Sequence, residues 1–340
     1  MSLAIAQQLL ASYLFAYITL LTIALGALLQ VMISHVSGAR WFDGLRPTAM
    51  KIAGTLPWLA VFALPIVIAA PVLYPWSDLA RIAPDLRATV AQKHAWLNVP
   101  FFAIRSVIYV VIWSVVEEML RRRKPDDPRG YRAISAGGLV AVGITLTFAS
   151  FDWIMSLEPE WYSTIYGVYV FAGGILSALG LIAFVGYRDL VHAPPALASG
   201  IPDSRLDSHE RQTGSLGKLL LTFAIFWGYI AFSQYLIVWI GNLPSELTWY
   251  LRRTRTTWGI LAILVGVSQF AVPFLALLGY EAKRKPKVLV AVGMSILIGH
   301  IVDTYWLVMP ALRPTGIAVS WSDVVALVLV AGALAAVSAR

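Results

Sequence analysis

Apolar residues in this chain come in long unbroken runs, not in amphipathic stripes. Nine such runs stand out, at 11–34, 53–74, 100–120, 133–155, 164–186, 219–241, 258–279, 288–310 and 321–338. A helix needs about 20 apolar residues to cross the hydrocarbon core of a bilayer. Backbone groups cannot stay unpaired in lipid, so the runs must be helices or closed barrel strands. They are far longer than barrel strands and lack dyad alternation, which leaves helices. The pattern therefore predicts an all-α, polytopic transmembrane protein of about nine spans, the ninth being the shortest and opening on Trp321 and Asp323. Between the runs, segment 76–99 mixes charges with Trp76, Trp96 and Leu97 and predicts a short interfacial helix. Loop 187–218, with its Ala-Pro-Pro-Ala-Leu-Ala-Ser-Gly-Ile-Pro-Asp-Ser centre, predicts a mobile connection. It is also the natural boundary between helices 1–4 or 1–5 and the rest. No internal repeat is evident.

Composition agrees. Of the 340 residues 59% are hydrophobic and 13% charged, half the roughly 25% charge of a soluble domain. The absence of Cys excludes a disulfide framework, thiolate-ligated iron–sulfur clusters and c-type haem attachment in this chain. The N-terminus has neither a basic n-region nor a small-residue cleavage site, so no removable signal peptide is expected. A net charge of +8 could point to nucleic acid in a soluble chain, but here it reads as topology. The odd-numbered loops and the C-terminus hold 18 of the 26 Lys and Arg, six of them in 121–132 alone, whereas even-numbered loops hold seven. The positive-inside rule then makes the odd loops cytoplasmic, the N-terminus periplasmic and the C-terminus cytoplasmic. Arg252, Arg253 and Arg255 are the exception, in a loop assigned to the outside.

Ionisable groups inside spans are costly and mark candidate function. At the cytoplasmic side these are His35, one turn beyond Gln30, and Glu117 and Glu118. Arg121 and Arg122 follow the two acids at i,i+4, so simple ion pairing at a helix end is the competing reading. Asp152 lies near the outer end of the fourth span, with Thr145 and Ser156 near the same face. It is either a functional acid or the partner of Arg105 in the third span. In the eighth span His300 and Asp303 stand at i,i+3 and share one face in the outer half of the membrane. An imidazole beside a carboxylate can relay protons near neutral pH, and a satisfied buried pair would look the same in sequence. Gln234 and Tyr235 in the sixth span and Gln269 in the seventh are supporting polar residues, of the kind that hydrogen-bonds helices together. Trp161, Tyr162 and Trp239 read as interfacial belt. Of five histidines only His35 and His300 lie in spans, at opposite depths, so a bis-His haem within the chain is not expected. No phosphate loop, zinc motif or hydrolytic constellation is present.

Three longer stretches carry a family likeness. They are Ser150-Phe-Asp-Trp-Ile-Met-Ser-Leu-Glu-Pro-Glu-Trp-Tyr-Ser-Thr-Ile-Tyr-Gly-Val-Tyr-Val-Phe-Ala-Gly-Gly174, Ser233-Gln-Tyr-Leu-Ile-Val-Trp-Ile-Gly-Asn-Leu-Pro-Ser-Glu246 and Gly299-His-Ile-Val-Asp-Thr-Tyr-Trp-Leu-Val-Met-Pro310. Together they resemble the F subunit of bacterial alternative complex III, a quinol:electron-acceptor oxidoreductase. Weaker likeness in Pro100-Phe-Phe-Ala-Ile-Arg105 and around Gly38-Ala-Arg-Trp41 extends it over most of the chain.

The resemblance implies a relative of polysulfide-reductase-type membrane subunits, with two four-helix bundles and flanking helices. Here those would be 1–155 and 156–310, followed by a peripheral C-terminal helix in 311–340. It implies no metal or haem in this chain, with c-type haems and iron–sulfur clusters on partner subunits. Those partners are a larger homologous membrane subunit, better placed for quinol oxidation, an iron–sulfur subunit and multihaem cytochromes c. It also implies lipid and the quinol pool as surroundings, the bacterial inner membrane as location, and two proton half-channels as function. Members commonly have ten spans, and this chain starts in what resembles the second. Two other readings stay open: a cofactor-free scaffold that anchors redox subunits, and a quinone-binding subunit with its own lateral pocket.

Overall fold

The computed structural model describes residues 3–124, 127–191 and 204–338, and among them there is no β-strand. Fifteen α-helices follow one another: α1 Leu3–Ser37, α2 Arg46–Ala53, α3 Leu56–Phe62, α4 Leu64–Ile68, α5 Ala70–Leu73, α6 Arg87–Ala91, α7 Val99–Arg121, α8 Pro128–Trp153, α9 Tyr166–Val191, α10 Ser204–Gly241, α11 Pro244–Thr254, α12 Trp258–Val265, α13 Val272–Leu277, α14 Pro286–Leu312 and α15 Trp321–Ser338. Among the described residues eight segments are long and apolar enough to cross a membrane, and the ninth apolar run holds a shorter helix, Trp321–Ala336. The chain is an all-α, multi-pass membrane protein.

Helix α1 is the most enclosed span and packs on α2, α8, α9, α14 and α15. Its partner α9 packs on α8, α10 and α14 as well. The two backbones touch: a Cβ built on Gly174 would lie 2.8 Å from the Thr22 carbonyl oxygen. Without a hydrophobic drive between helices in lipid, such small-residue contacts let dispersion forces act over a long seam.

The second span is not one helix. Pro57, Pro65 and Pro71 each open a new short helix, α3, α4 and α5. A proline has no N–H to give the preceding turn and its ring clashes with that turn's carbonyl. The Tyr13 hydroxyl of α1 donates to the Phe62 carbonyl at 2.7 Å, so a carbonyl beside the break has a partner inside the membrane region. Other ends are capped by side chains: Asn98 Oδ1 accepts from Phe101 N at 3.0 Å and Asp127 Oδ1 from Gly130 N at 2.9 Å. Between α12 and α13 runs a π-helical stretch, Gly266–Ala271.

Three expectations need correction. Much of the loop expected at 187–218 is helix, because α9 continues to Val191 and α10 begins at Ser204, with polar residues extending each helix beyond its apolar run. Its Ala-Pro-Pro centre lies outside the described residues. The loop after the sixth span contains α11, an eleven-residue helix too polar to show as an apolar run. Trp161 is not a belt residue: it is 3% exposed and stacks on Trp249 with centroids 4.7 Å apart, whereas Tyr162 and Trp239 are exposed. Within segment 76–99, where a short interfacial helix is expected, the structure has the five-residue helix α6.

Candidate functional site

The 121–132 loop, with its six Lys and Arg, makes one end of the molecule its basic end. His300 and Asp303 lie on α14, both 2% exposed. They face one small cavity of about 10 Å³, which Thr22, Tyr169 and Thr304 also line. That is about the volume that admits one water molecule. Three other helices supply partners. The Tyr169 hydroxyl of α9 donates to Asp303 Oδ1 at 2.6 Å, and Thr22 Oγ1 of α1 lies 2.8 Å from His300 Nε2. From the π-helical stretch, the Gln269 amide lies beside the Asp303 carboxylate, while its Nε2 donates to the Gly299 carbonyl at 3.5 Å. Among the described residues no Lys or Arg pairs with Asp303, and the two α14 side chains share the cavity without a mutual hydrogen bond. His300 Nδ1 is buried without a partner.

Gly299 makes this approach possible. A Cβ there would meet Ser268 Oγ and come 2.6 Å from Gln269 Cγ. The widened turn therefore presses on α14 one residue before His300. Such π-turns often mark functional positions in helices.

Asp152 is differently placed. Its carboxylate is fully buried and takes four hydrogen bonds: Arg105 Nε at 2.7 Å and Nη2 at 2.8 Å, the Tyr109 hydroxyl at 2.7 Å and Trp96 Nε1 at 2.9 Å. The guanidinium also donates to the Trp96 carbonyl at 3.0 Å and lies 4.0 Å from the Trp96 ring centroid. Bidentate geometry with every lone pair occupied is what a buried ion pair needs to offset its desolvation. Of the two readings left open for Asp152, its geometry is that of the partner of Arg105.

At the basic end the two neighbouring acids part company. Glu118 pairs with both Arg121 and Arg122 at the surface. Glu117 turns inward, is 0% exposed and has no hydrogen bond on either oxygen; Arg121 Nε stays 3.7 Å away. The expected i,i+4 ion pair between Glu117 and Arg121 is therefore present at 3.7 Å but without a hydrogen bond, because Glu118 holds the guanidinium. His35 Nδ1 is 2.9 Å from Ser135 Oγ, and the ring lies 4.8 Å from that of Tyr131.

The sequence reading missed two further buried ion pairs. Arg253, 0% exposed, donates to Glu158 Oε2 at 2.7 Å and lies over the Trp249 ring at 3.7 Å, while Arg252 donates to Glu158 at 2.5 Å and to Glu160 at 3.2 Å. These arginines broke the loop-charge pattern, and that exception was the available signal: acids from a neighbouring loop neutralise them. Nearby, Lys93 Nζ donates to the Pro159 carbonyl at 2.6 Å; burial lowers its pKa from the usual lysine value, with Glu160 opposing the shift. In the second pair, Arg313 Nη1 is 2.7 Å from Asp323 Oδ2, and Ser12 Oγ donates to Asp323 Oδ1 at 2.6 Å. This clamp holds α15 against α1.

Gln234 and Tyr235 line a larger cavity, of about 710 Å³, bounded by α9, α10, α11, α12 and α14. Tyr169 lines it too, so the same side chain touches the large cavity and Asp303. Among the described residues no three His, Asp or Glu side chains converge as a metal site would need. No protein-family model and no curated protein matches the chain.

Proposed function

We propose that the chain is a membrane subunit of a quinol:electron-acceptor oxidoreductase of the alternative complex III kind, and that it conducts protons. The observation that carries the reading is Asp303, a buried acid that no Lys or Arg pairs with among the described residues; Glu117 joins it as a buried acid without a hydrogen bond, its ion pair to Arg121 staying at 3.7 Å. An acid enclosed in a membrane protein is costly unless it is paired or used. Asp303 meets a hydroxyl, an amide and space for one water, parts that can hand a proton on. Glu117 lies at the basic end of α7, and Asp303 lies beyond the middle of α14 from that end. Two acids at different depths suit two half-channels.

In this reading the basic end is cytoplasmic, the N-terminus is periplasmic, and the protein resides in the bacterial inner membrane. Haem c and iron–sulfur clusters belong to partner subunits, beside a larger homologous membrane subunit. The ion pairs at Asp152, Glu158 and Asp323 hold helices and loops together. They alone would also suit a scaffold.

The test is Asp303→Asn in the assembled complex, with proton uptake measured beside quinol oxidation. Proton conduction is expected to show as retained turnover with a lowered proton-to-electron ratio. An assembled variant with an unchanged ratio would overturn proton conduction through Asp303.

A further inference from the structure

Positive charge is not compensated evenly among the basic loops. In the 121–132 loop the three consecutive arginines have acid partners, Glu118 for Arg121 and Arg122 and Asp127 for Arg123. The connection between α13 and α14 differs. Lys283, Lys285 and Lys287 stand at every second position, and among the described residues no acid pairs with any of them, Glu281 included. Lys218 of α10 joins this group. A Cβ on Gly217 would lie 2.6 Å from the Lys283 carbonyl oxygen, and one on Gly214 would lie 3.6 Å from Arg284 Cγ. These two glycines seat the turn Ala282–Arg284 on α10 and bring Lys218 beside Lys283. Nor does α14 offset the charge: Lys285 caps it without a side-chain hydrogen bond, and no acid stands in its first turn.

These lysines stand where three spans end. Helix α13 closes at Leu277, α14 opens at Pro286, and the apolar run of α10 begins at 219. That is headgroup level, with apolar surface directly beneath. Ile225 lies two turns along α10 from Lys218 on the same face, and it is exposed, as are Leu275 and Leu278. Lys283 Nζ donates to the Leu278 carbonyl at 3.2 Å, which leaves it two further protons to donate. Tyr280 is exposed beside them, its ring centroid 5.1 Å from the Arg284 guanidinium. An acidic protein segment would answer the lysines and leave the apolar surface below them uncovered. A molecule with a phosphate above and acyl chains beneath answers both. Its charge must be net negative, because a zwitterionic headgroup brings its own ammonium.

We propose that this corner binds an anionic phospholipid, its phosphate among Lys218, Lys283, Lys285 and Lys287 and its acyl chains on Ile225, Leu275 and Leu278. Lysine ammoniums are compact point charges and suit a phosphate without demanding one fixed geometry. The site is separate from Asp303 and Glu117 and does not require that protons move through the chain.

Native mass spectrometry of the full chain, released from detergent micelles containing phosphatidylglycerol or phosphatidylcholine, tests this. Selective retention of phosphatidylglycerol is expected. Each Lys→Gln change at the four positions should weaken it about fivefold. Lys283→Arg and Lys285→Arg keep the charge and should keep the lipid. Removing two cations from the other loop, with Lys124→Gln and Arg129→Gln, should leave retention unchanged. Equal retention of phosphatidylcholine overturns the proposal, as does unchanged retention in the quadruple Lys→Gln variant. Equal loss in the Lys124→Gln, Arg129→Gln variant overturns it too, since the effect would then be general positive charge. Displacement by equimolar inorganic phosphate would replace the lipid by a free anion, and displacement by a hexaglutamate peptide would replace it by an acidic protein. Either result also overturns it.

Discussion

Asp152 and Asp303 are both carboxylates enclosed in the helical bundle, one on α8 and one on α14, and their surroundings differ in kind. Asp152 accepts four hydrogen bonds, two of them from the Arg105 guanidinium with which it forms a bidentate ion pair. Asp303 has a phenol, an amide and a one-water cavity, with no Lys or Arg among the described residues to pair with it. A proton arriving at Asp152 would have to break an ion pair; at Asp303 it would break none. Two acids that look equally exceptional in sequence are therefore separated by one neighbour, the arginine that only the first possesses.

The largest effect should come from removing that neighbour. Arg105→Ala leaves a buried carboxylate uncompensated, and the chain is expected to lose about 3–5 kcal/mol in a detergent unfolding titration. A variant as stable as the parent would break the comparison at its better-defined side. Next comes Gly299→Ala, whose methyl group would collide with Ser268 and Gln269. Overpacking of this kind costs about 1–3 kcal/mol, and the same titration would read it. If the alanine is tolerated without loss, the close approach of the π-turn to α14 is not what positions His300 and Asp303.

Asp303→Asn should change stability by less than about 1 kcal/mol, since the amide oxygen can still accept from Tyr169 and no ion pair is lost. Finding Asp303→Asn as damaging as Arg105→Ala would make the two acids alike and defeat the distinction. The smallest change is expected from Glu117→Leu. With no hydrogen bond on either oxygen, replacement by an apolar group of similar size should be neutral or stabilising by up to about 1 kcal/mol. Slowed proton uptake in that stable variant would join the basic end to the same path.

The helices themselves were readable along the chain because lipid imposes a length: about 20 apolar residues in a row leave few alternatives. The His300–Asp303 face was readable for a similar reason, since a helix places i and i+3 together whatever surrounds it. Helix α11 was not, because an amphipathic eleven-residue segment satisfies no spanning criterion. Neither was the inward burial of Trp161, whose stacking partner Trp249 lies far along the chain. For Asp152 the sequence offered two readings, and choosing between them needed the facing helix.

What this amino-acid order determined alone was a set of local properties: which segments span, where prolines interrupt the second of them, and which acids and histidines end up within the apolar runs. What tertiary structure decided was partnership. Thr22, Tyr169 and Gln269 come from three different helices, and nothing in their spacing from His300 and Asp303 announces that they meet there. The same holds for Glu158, which reaches Arg253 across 95 residues of chain. Periodicity sets the direction of a side chain relative to its own helix axis. Rotation and depth of one helix against another are set by close contacts such as those at Gly26, Gly174 and Gly299, and these determine which acid meets an arginine and which is left without one.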